Sequence, residues 1–250
     1  MRDSLYLGVD IGTYESKGVL TDSQGVLRGQ VAVKHEMLIP KPGWAEHDPT
    51  DVWWGDFVRI TKSLLSQKDI LSKNITSVAV SAIGPCMLPV DEKCNPLYSG
   101  VLYGVDTRAT EEINYLNELI GKKHIFDFGG NALTSQSIGP KILWLKREHP
   151  EILKKAHKIV TSTTYIVQKL TGMCVIDHYS AANFTPLYDK SKLKWSDSLA
   201  PNLIDIEKLP DLKWTTDIGG YISEVASKET GLPSGVPVTV GTIDAAAEAM

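Results

Sequence analysis

Cysteines and long apolar runs are both scarce in this 250-residue sequence. The three cysteines, Cys86, Cys94 and Cys174, include no Cys-x-x-Cys pair, so neither a disulfide framework nor a zinc site is indicated and reduced thiols are expected. No apolar run approaches the roughly 20 residues that cross a bilayer. The chain leads at once into a short run that contains Asp10, which is unlike a signal peptide. We therefore expect a cytoplasmic protein with no membrane partner.

Several common motifs of nucleotide-binding proteins and hydrolases are also missing. The sequence has no GxxxxGK[ST] loop, no GxGxxG fingerprint after a strand, no HExxH and no GxSxG. These absences exclude a Walker-type nucleoside triphosphatase, a Rossmann dinucleotide enzyme and the commonest metalloproteases and serine hydrolases. With 26 basic against 30 acidic residues and a net charge of −4, the composition also does not favour a nucleic-acid partner.

The order of apolar patterns predicts the fold class. Three apolar runs separated by turns predict antiparallel strands at residues 5–9, 16–21 and 26–33. Asp48 is a good helix cap before Pro49, and the run at 75–81 predicts a buried strand with a parallel neighbour. Further helices are predicted at residues 108–120, 140–148, 150–157 and 163–170. The chain is therefore expected to be an α/β protein whose mixed sheet opens with three antiparallel strands.

The first candidate site is the turn between the first two predicted strands, residues 10–17 (DIGTYESK). Gly12 lets the backbone approach a ligand, and the exposed N–H groups of such a turn can hold phosphate oxygens. Thr13 adds a hydroxyl, Lys17 adds a positive charge, and Asp10 at the strand end could hold Mg²⁺ through water. A plain hairpin, with Asp10 bonding the turn backbone, explains the same residues, and from them alone this alternative stays open.

The second candidate site is residues 241–247 (GTIDAAA), directly after the last predicted strand. A glycine turn, an acid and a helix start follow one another, which places Asp244 at the beginning of a helix. On this pattern alone, a helix cap worth about 1 kcal/mol is the favoured explanation of Asp244.

Together, the two sites resemble the FGGY family of carbohydrate kinases. In that family the opening Asp-x-Gly-Thr-x-x-x-(Lys/Arg) contacts the ATP phosphates and Mg²⁺, and the later Gly-x-x-Asp carries the base that activates the sugar hydroxyl. Other segments of the chain resemble the family's patterns in the same order: residues 43–54 (GWAEHDPTDVWW), 106–108 (DTR), 141–145 (KILWL), 170–172 (LTG) and the acids and small residues at 177–189.

The resemblance implies a ribonuclease-H-like (actin-like ATPase) domain over residues 1–244, with helices on both faces of its sheet. Residues 245–250 would begin a second domain that carries the adenine pocket, so these 250 residues alone are expected to be inactive. The implied activity is transfer of the γ-phosphoryl group of ATP to a hydroxyl of a ketose or polyol, with ATP and Mg²⁺ as cofactors; a homodimer is left open. The implied roles are general base for Asp244, metal binding for Asp10, and phosphate binding for Gly12, Thr13, Tyr14 and Lys17.

The expected sugar pocket departs from the family's patterns. Xylulokinases typically read Gly-Gln-Met-His-Gly where residues 82–86 read AIGPC, and glycerol kinases place Arg-Glu at Gly84-Pro85. Gly104 stands where the family usually has a tryptophan, and Gln136 where glycerol kinases have a tyrosine. The implied substrate-binding residues are Gly84, Pro85, Tyr103, Asp106, Gln136 and Asp244. D-Xylulose or a related pentulose is the expected substrate, and a kinase for another sugar or polyol or a non-catalytic actin-like domain remain alternatives.

Two further expectations concern placement. Asp10, Thr13 and Asp244 should line one groove at strand ends, with residues 44–54 elsewhere on the domain. His47 is interpreted as a loop histidine whose hydrogen bonds are internal, and Asp106 has a simpler alternative as a helix cap.

Overall fold

The computed structural model describes residues 4–249. Met1–Asp3, at the start of the predicted first domain, and Met250, in the predicted start of a second domain, lie outside the described residues. The strands are β1 (Leu5–Ile11), β2 (Glu15–Asp22), β3 (Leu27–Lys34), β4 (Glu46–His47), β5 (Ile75–Ala82), β6 (Leu88–Val90), β7 (Gly100–Val101), β8 (Lys158–Val160), β9 (Val175–Asp177), β10 (Tyr188–Asp189), β11 (Lys194–Trp195), β12 (Asp211–Lys213), β13 (Ile218–Tyr221), β14 (Pro237–Thr239) and β15 (Thr242–Ile243). The α-helices are α1 (Asp56–Leu65), α2 (Thr110–Ile120), α3 (Lys122–Gly129), α4 (Ile138–Glu148), α5 (Pro150–Lys155), α6 (Ser162–Thr171), α7 (His178–Ala181), α8 (Glu224–Thr230) and α9 (Asp244–Glu248).

The main sheet has seven strands in the order β13-β14-β5-β1-β2-β3, with β15 also pairing with β5. β1, β2 and β3 are antiparallel, and β5 is parallel to β1, so both predictions for the start of the sheet are confirmed. β14 and β15 are parallel to β5 in turn. The carboxyl ends of β1, β5 and β15 therefore meet at one edge of the sheet.

One face of this sheet is packed and the other is largely open. In β1 every second side chain is buried: Leu5, Leu7, Val9 and Ile11. The packed face is covered by α1 under β1–β3 and by α6 under β5, β13 and β14, with α8 against both helices. On the other face Tyr6 is 41% exposed, and Gly8, Asp10 and Ser81 border a groove of about 450 Å³.

Helices lie on both faces of the sheet, as expected, although the second face is less fully covered. In the part of the chain that the structure describes, the short helix α9 lies at the groove, with Ala247 in its lining. The lining of the groove combines polar side chains, such as Lys17 and Ser81, with apolar ones, such as Val19, Val80 and Ala247.

Helix predictions are confirmed in place but shifted at their ends. The cap at Asp48 is present, because its carboxylate accepts hydrogen bonds from the Thr50 and Asp51 N–H groups at 2.8 and 3.0 Å. A π-helical turn, Pro49–Gly55, precedes α1, and α6 ends at Gly172 with φ of 79°. Sequence reasoning missed α3. No helix within residues 4–249 has the length and apolar character needed to cross a bilayer.

Candidate active site

The turn between β1 and β2 is tight and leaves two backbone donors free. The Gly12 N–H donates to the Glu15 carbonyl at 3.1 Å, and a Cβ on residue 12 would lie 2.7 Å from that oxygen, so only glycine fits. Within residues 4–249, the N–H groups of Thr13 and Tyr14 have no protein acceptor. Together with the Thr13 hydroxyl, these donors form a surface suited to phosphate oxygens.

Strand register brings the two predicted acidic positions to one edge. Asp10 pairs with Ser81 across β1 and β5, and Ser81 pairs with Thr242 across β5 and β15. Two strand spacings separate Asp10 from Thr242, which is roughly 10 Å of backbone distance. Asp244 follows two residues later, so both carboxylates lie at the same carboxyl edge; Asp10 and Thr242 border the groove of about 450 Å³, whereas Thr13 and Asp244 are not in its lining.

Both carboxylates are held in environments that favour the protonated form. Burial raises the pKa of Asp10 above its ordinary value, against the opposing effects of the Ser81 hydroxyl and the Lys17 ammonium. Burial also raises the pKa of Asp244, and the negative charges of Asp10 and Glu248 add to the rise. At this sheet edge the opposing effect of Lys17 does not offset the burial of the Asp10 carboxylate, an arrangement that favours a bound cation.

The residues present fit a magnesium ion. The Ser81 hydroxyl is buried and close enough to Asp10 to act on its pKa, but it makes no hydrogen bond of ordinary geometry in the described part of the chain. Carboxylate and hydroxyl oxygens are hard donors, and Mg²⁺ retains several waters, so few protein groups are needed. No cluster of three His, Cys, Asp or Glu side chains with metal-site geometry occurs within the described range. Asp10, with Ser81 beside it, could thus hold the ion largely through water.

The backbone just before Asp244 is held by a glycine turn and by hydrogen bonds to Thr242. Gly241 has φ of 72°, and a Cβ there would lie 2.2 Å from the Val80 carbonyl oxygen, so glycine is required. The Thr242 hydroxyl donates to the buried Asp177 carboxylate at 2.8 Å, and the Thr163 hydroxyl donates to the Thr242 carbonyl at 2.9 Å. These bonds hold the backbone two residues before Asp244 in one geometry.

Two of the expected substrate-binding positions, at and beside Gly84 and Gly104, allow close contacts between loops because these residues have no side chain. A Cβ on Gly84 would lie 2.3 Å from Cγ2 of Ile243, the residue before Asp244, so glycine lets these two loops touch. A Cβ on Gly104 would lie 2.9 Å from Nε2 of Gln136. The Gln136 carboxamide therefore occupies the space beside Gly104, where the family pattern would place a tryptophan.

Tyr103 contacts the turn between β1 and β2 (residues 12–14), called the phosphate turn below for its expected role. Its hydroxyl lies 3.3 Å from the Thr13 hydroxyl, and its carbonyl accepts a hydrogen bond from the Lys141 ammonium at 3.0 Å. Lys141 is 1% exposed, and burial lowers its pKa to about 8. The Lys141 ammonium thus holds the Tyr103 backbone in place, while the Tyr103 hydroxyl lies beside the Thr13 hydroxyl in the candidate site.

Asp106 does not present a free carboxylate to substrate. It is 1% exposed and accepts hydrogen bonds from the Ala45 N–H and the Arg108 guanidinium, both at 2.7 Å. Arg108 lies between the rings of Trp44 and Trp144, with its guanidinium carbon 4.0 and 4.9 Å from their centroids. This departs from the substrate-binding role implied by the resemblance, because both oxygens of Asp106 are engaged by internal donors. Asp106 also accepts a hydrogen bond from the Arg108 N–H at 3.1 Å, but α2 begins at Thr110 and has no side-chain cap, so the helix-cap interpretation is wrong.

The segment at 44–54 lies only partly away from the site. Its tryptophans are packing residues, and Trp53 is fully buried. His47, however, contacts the Thr13 carbonyl directly beneath the phosphate turn at 3.0 Å. The expectation that its hydrogen bonds are internal is confirmed, whereas the expected distance from the turn was wrong for this one residue.

The model of the FGGY family of carbohydrate kinases, N-terminal domain, matches residues 5–250. The chain belongs to this family. It is 28% identical over 247 residues to xylulose kinase from Escherichia coli (strain K12), an alignment that covers 98% of this chain and 49% of that protein. It is 27% identical over 246 residues to glycerol kinase from Thermococcus onnurineus (strain NA1), covering 95% and 47%. The chain thus spans about half the length of the curated relatives it matches.

A solved structure agrees on the fold. Xylulose kinase from Rhodospirillum rubrum superimposes with a TM-score of 0.90 at 24% sequence identity, over 98% of this chain and 51% of that one. This FGGY domain therefore has the expected actin-like α/β fold, with the mixed sheet described above.

The roles of three polar residues around the candidate site of this FGGY domain were not predicted from the sequence. Ser81 lies beside Asp10, His35 lies beneath the turn, and Asp177 anchors Thr242. Ser81 carried a usable signal, since a polar residue ends a strand predicted to be parallel to the strand of Asp10. His35 carried none, because its partners are distant in sequence.

Proposed function

We propose that the protein transfers the γ-phosphoryl group of ATP to a hydroxyl of a sugar or polyol, with Asp244 as the general base. The observation that carries this proposal is the meeting of two features at one groove edge. A turn with free N–H donors follows Asp10, and the half-buried Asp244 lies across two strands from it. Family membership and the xylulose and glycerol kinases among the relatives support the same reaction class.

Asp244 has the properties that a base in this reaction needs. Its raised pKa makes the deprotonated carboxylate a better proton acceptor than an exposed aspartate at neutral pH. The sugar hydroxyl gives its proton to Asp244 as its oxygen forms a bond to the γ-phosphorus. The bond between that phosphorus and the bridging oxygen breaks, and ADP leaves with the bonding electrons.

Phosphate binding falls to the turn after β1. The N–H groups of Thr13 and Tyr14, the Thr13 hydroxyl and the Lys17 ammonium provide donors and one positive charge. Asp10, with Ser81, would hold Mg²⁺ through water, and the bound ion supplies charge neutralisation for the transferring phosphoryl group. Phosphoryl transfer depends mainly on positioning and electrostatic stabilisation, which matches a site built from backbone donors and carboxylates.

The substrate class we infer is a pentulose, D-xylulose or a close relative. Xylulose kinases among the relatives support this assignment. Gly84 and Pro85 offer backbone and space without polar side chains, so hydroxyl recognition falls to Tyr103, Gln136 and Asp244. Because an unpaired buried hydroxyl costs roughly 1–3 kcal/mol, these three groups must account for much of the selectivity.

The test is an acceptor panel with the full-length protein. ADP release would be followed with ATP and Mg²⁺ and a set of ketoses, aldoses and polyols that includes D-xylulose and glycerol. We expect a pentulose to give the highest kcat/KM and Asp244→Asn to abolish that signal. A polyol as the best acceptor would correct the substrate class, and absence of acceptor-dependent ADP release across the panel would contradict the kinase assignment.

A further inference from the structure

Two histidines lie directly beneath the phosphate turn. His35 follows β3 and His47 lies in β4, and their rings meet edge to face with centroids 5.0 Å apart. The His35 side chain is 5% exposed and His47 is fully buried. His35 Nε2 lies 3.2 Å from the Gly12 carbonyl oxygen, and His47 Nε2 lies 3.0 Å from the Thr13 carbonyl oxygen. Each histidine thus contacts one of two consecutive peptide groups of the turn.

The second nitrogen of His47 fixes its protonation state. The Trp53 indole N–H donates to His47 Nδ1 at 3.1 Å, so Nδ1 carries no proton. Nε2 must then carry the ring's proton and donate it to the Thr13 carbonyl. Burial, together with the charge of His35, lowers the pKa of His47 to about 4, which keeps this neutral form at neutral pH.

The partners of His35 require the opposite state. Nδ1 lies 2.7 Å from the Asp56 carboxylate, and Nε2 faces the Gly12 carbonyl; both partners are acceptors. Both ring nitrogens must donate if both bonds are to form, which is the donor pattern of a doubly protonated ring. The neighbouring titratable and charged groups are Asp56 and Arg59 from α1 and His47 from β4.

Asp56 supports this charged state. It accepts hydrogen bonds from the Ser16 hydroxyl at 2.7 Å and from Arg59 Nη2 at 2.6 Å. Burial acts to raise the pKa of Asp56, but the hydrogen bonds from His35, Ser16 and Arg59 outweigh it and hold the pKa below its ordinary value. A charged carboxylate therefore anchors the imidazolium under the turn.

The two histidines determine where the turn's N–H groups point. In a planar trans peptide the C=O and N–H bonds are directed oppositely. The Gly12 carbonyl shares its peptide with the Thr13 N–H, and the Thr13 carbonyl shares its peptide with the Tyr14 N–H. Because both carbonyls point down to the histidines, both N–H groups point away from them and toward the open side of the turn. A flipped peptide would instead present a carbonyl oxygen to an anion.

We propose that His35 and His47 are positioning residues that orient the Thr13 and Tyr14 N–H groups toward the nucleotide phosphates. The proposal rests on the phosphate-binding role given to this turn above. Neither histidine touches the ligand; each acts through the carbonyl it binds.

Histidine ¹⁵N NMR of the full-length protein at pH 7 provides a direct spectroscopic test. We expect both ring nitrogens of His35 to give imidazolium shifts, and His47 to show a protonated Nε2 with a bare Nδ1. A bare Nε2 on either histidine would overturn the proposal, since that nitrogen could not donate to a carbonyl. This measurement needs no variant, so it does not depend on a substituted protein folding.

Kinetics of paired variants separate positioning from general stability. His47→Leu removes the donor, whereas His47→Gln keeps an N–H at the end of the side chain. We expect the KM for ATP to rise about tenfold in His47→Leu and less than about threefold in His47→Gln, with the KM for the sugar unchanged. Equal effects of Leu and Gln would contradict the proposal.

Ser16→Ala is the matched control for the buried network. It removes a hydrogen bond to Asp56 but leaves both histidine–carbonyl contacts in place. We expect a lower melting temperature and a rise in the KM for ATP that is clearly smaller than that of His47→Leu, since both histidine–carbonyl contacts remain. A KM rise as large as that of His47→Leu would show that any damage to the buried layer has this effect, and would overturn the positioning role.

A ligand titration distinguishes this proposal from the proposed function. Inorganic tripolyphosphate would be added to the ¹⁵N-labelled protein while the amide signals of Thr13 and Tyr14 are followed. If a sugar is phosphorylated but these amides do not respond, the positioning role fails and the kinase assignment stands. If the amides respond and His47→Leu weakens tripolyphosphate binding while no acceptor is phosphorylated, the assignment fails and the positioning role stands.

Discussion

Two carboxylate environments lie on opposite sides of the phosphate turn. At the sheet edge, Asp10 and Asp244 have raised pKa values because burial and the charge of Glu248 outweigh the effects of Lys17 and Ser81 on Asp10 and of two backbone N–H groups on Asp244. Beneath the turn, Asp56 is fully buried yet has a lowered pKa, because His35, Ser16 and Arg59 overcome the cost of burial. The two environments differ in whether the protein itself provides the countercharge.

That difference distinguishes a carboxylate of the candidate active site from a carboxylate that only stabilises the fold. A carboxylate that an arginine and further hydrogen-bond donors of the protein engage is committed to the fold, as Asp56 and Asp106 are. A carboxylate left without them is unfavourable for the free protein and is stabilised when a ligand brings a cation or a proton. The sign of the stability effect on neutralising each group therefore tests the assignment.

The largest expected effect on activity is at Asp244. Asp244→Asn should lower kcat by about 10²–10⁴-fold, because the base is lost while the amide occupies the same space. The folded-state pKa of Asp244 is raised, so stability falls as pH rises through the window between the ordinary and the raised pKa. Above that window the charge destabilises the fold, so the variant should melt at a higher temperature at pH 7.

Steady-state kinetics and thermal melts at pH 7 check this prediction together. Near-normal turnover would remove Asp244 from the mechanism. A lower melting temperature with lost activity would place Asp244 among the supporting carboxylates instead.

The largest expected effect on stability is at Asp56. Asp56→Ala should lower the free energy of unfolding by about 3–5 kcal/mol, because His35 and Arg59 lose a buried partner. Urea denaturation at pH 7 measures the loss. Asp51→Ala is the matched control, since Asp51 is the exposed second partner of Arg59 at 3.0 Å and should cost about 1 kcal/mol or less. Equal losses in the two variants would contradict the supporting role.

The pH dependence of this contribution has the opposite sign to that of Asp244. The folded pKa of Asp56 is lowered, so its stabilisation is present above the ordinary aspartate pKa and is lost as pH falls through the lowered value. Urea midpoints between pH 7 and pH 3 should therefore fall more steeply for the wild type than for Asp56→Ala. Parallel slopes would mean that the carboxylate is not stabilised in the folded state.

An intermediate effect is expected at Asp177, a buried carboxylate near the groove that is bound by hydroxyl and N–H donors. Asp177→Asn should cost about 1–2 kcal/mol of stability and lower kcat by about threefold, since the Thr242 hydroxyl is held less firmly. Thr215→Val is the companion variant, because the Thr215 hydroxyl reaches the same oxygen at 3.2 Å without touching β15. If Thr215→Val lowers kcat as much as Asp177→Asn does, Asp177 does not affect turnover through its hydrogen bond to Thr242.

The smallest expected effect concerns Glu248. Its charge raises the pKa values of Asp10 and Asp244, so Glu248→Gln should lower both. The base works deprotonated, so the acidic limb of the pH–rate profile should move to lower pH by less than about one unit. Glu118→Gln, which removes an exposed acid on α2, should leave the limb unmoved. A shift to higher pH with Glu248→Gln would reverse the electrostatic account of the groove.

Sequence alone determined the features that depend on neighbouring residues. The three-strand opening, the Asp48 cap and the helix end at Gly172 follow from turn, capping and apolar patterns that are complete within a few residues. The two acidic positions, each at a strand end beside glycine and threonine, also stood out locally. Family resemblance then related them to one chemistry, and strand register brought them to one edge.

Tertiary structure decided which polar groups were left free. Asp106 and Asp10 are both strand- or loop-end aspartates in the sequence, but Ala45 and Arg108 engage Asp106, while the Ser81 hydroxyl beside Asp10 remains without a partner in the described chain. The contact between His35 and Asp56 spans 21 residues and that between Thr242 and Asp177 spans 65. The free energy of a buried charge depends on donors that only folding brings near, so the roles of these side chains could not be determined from local patterns.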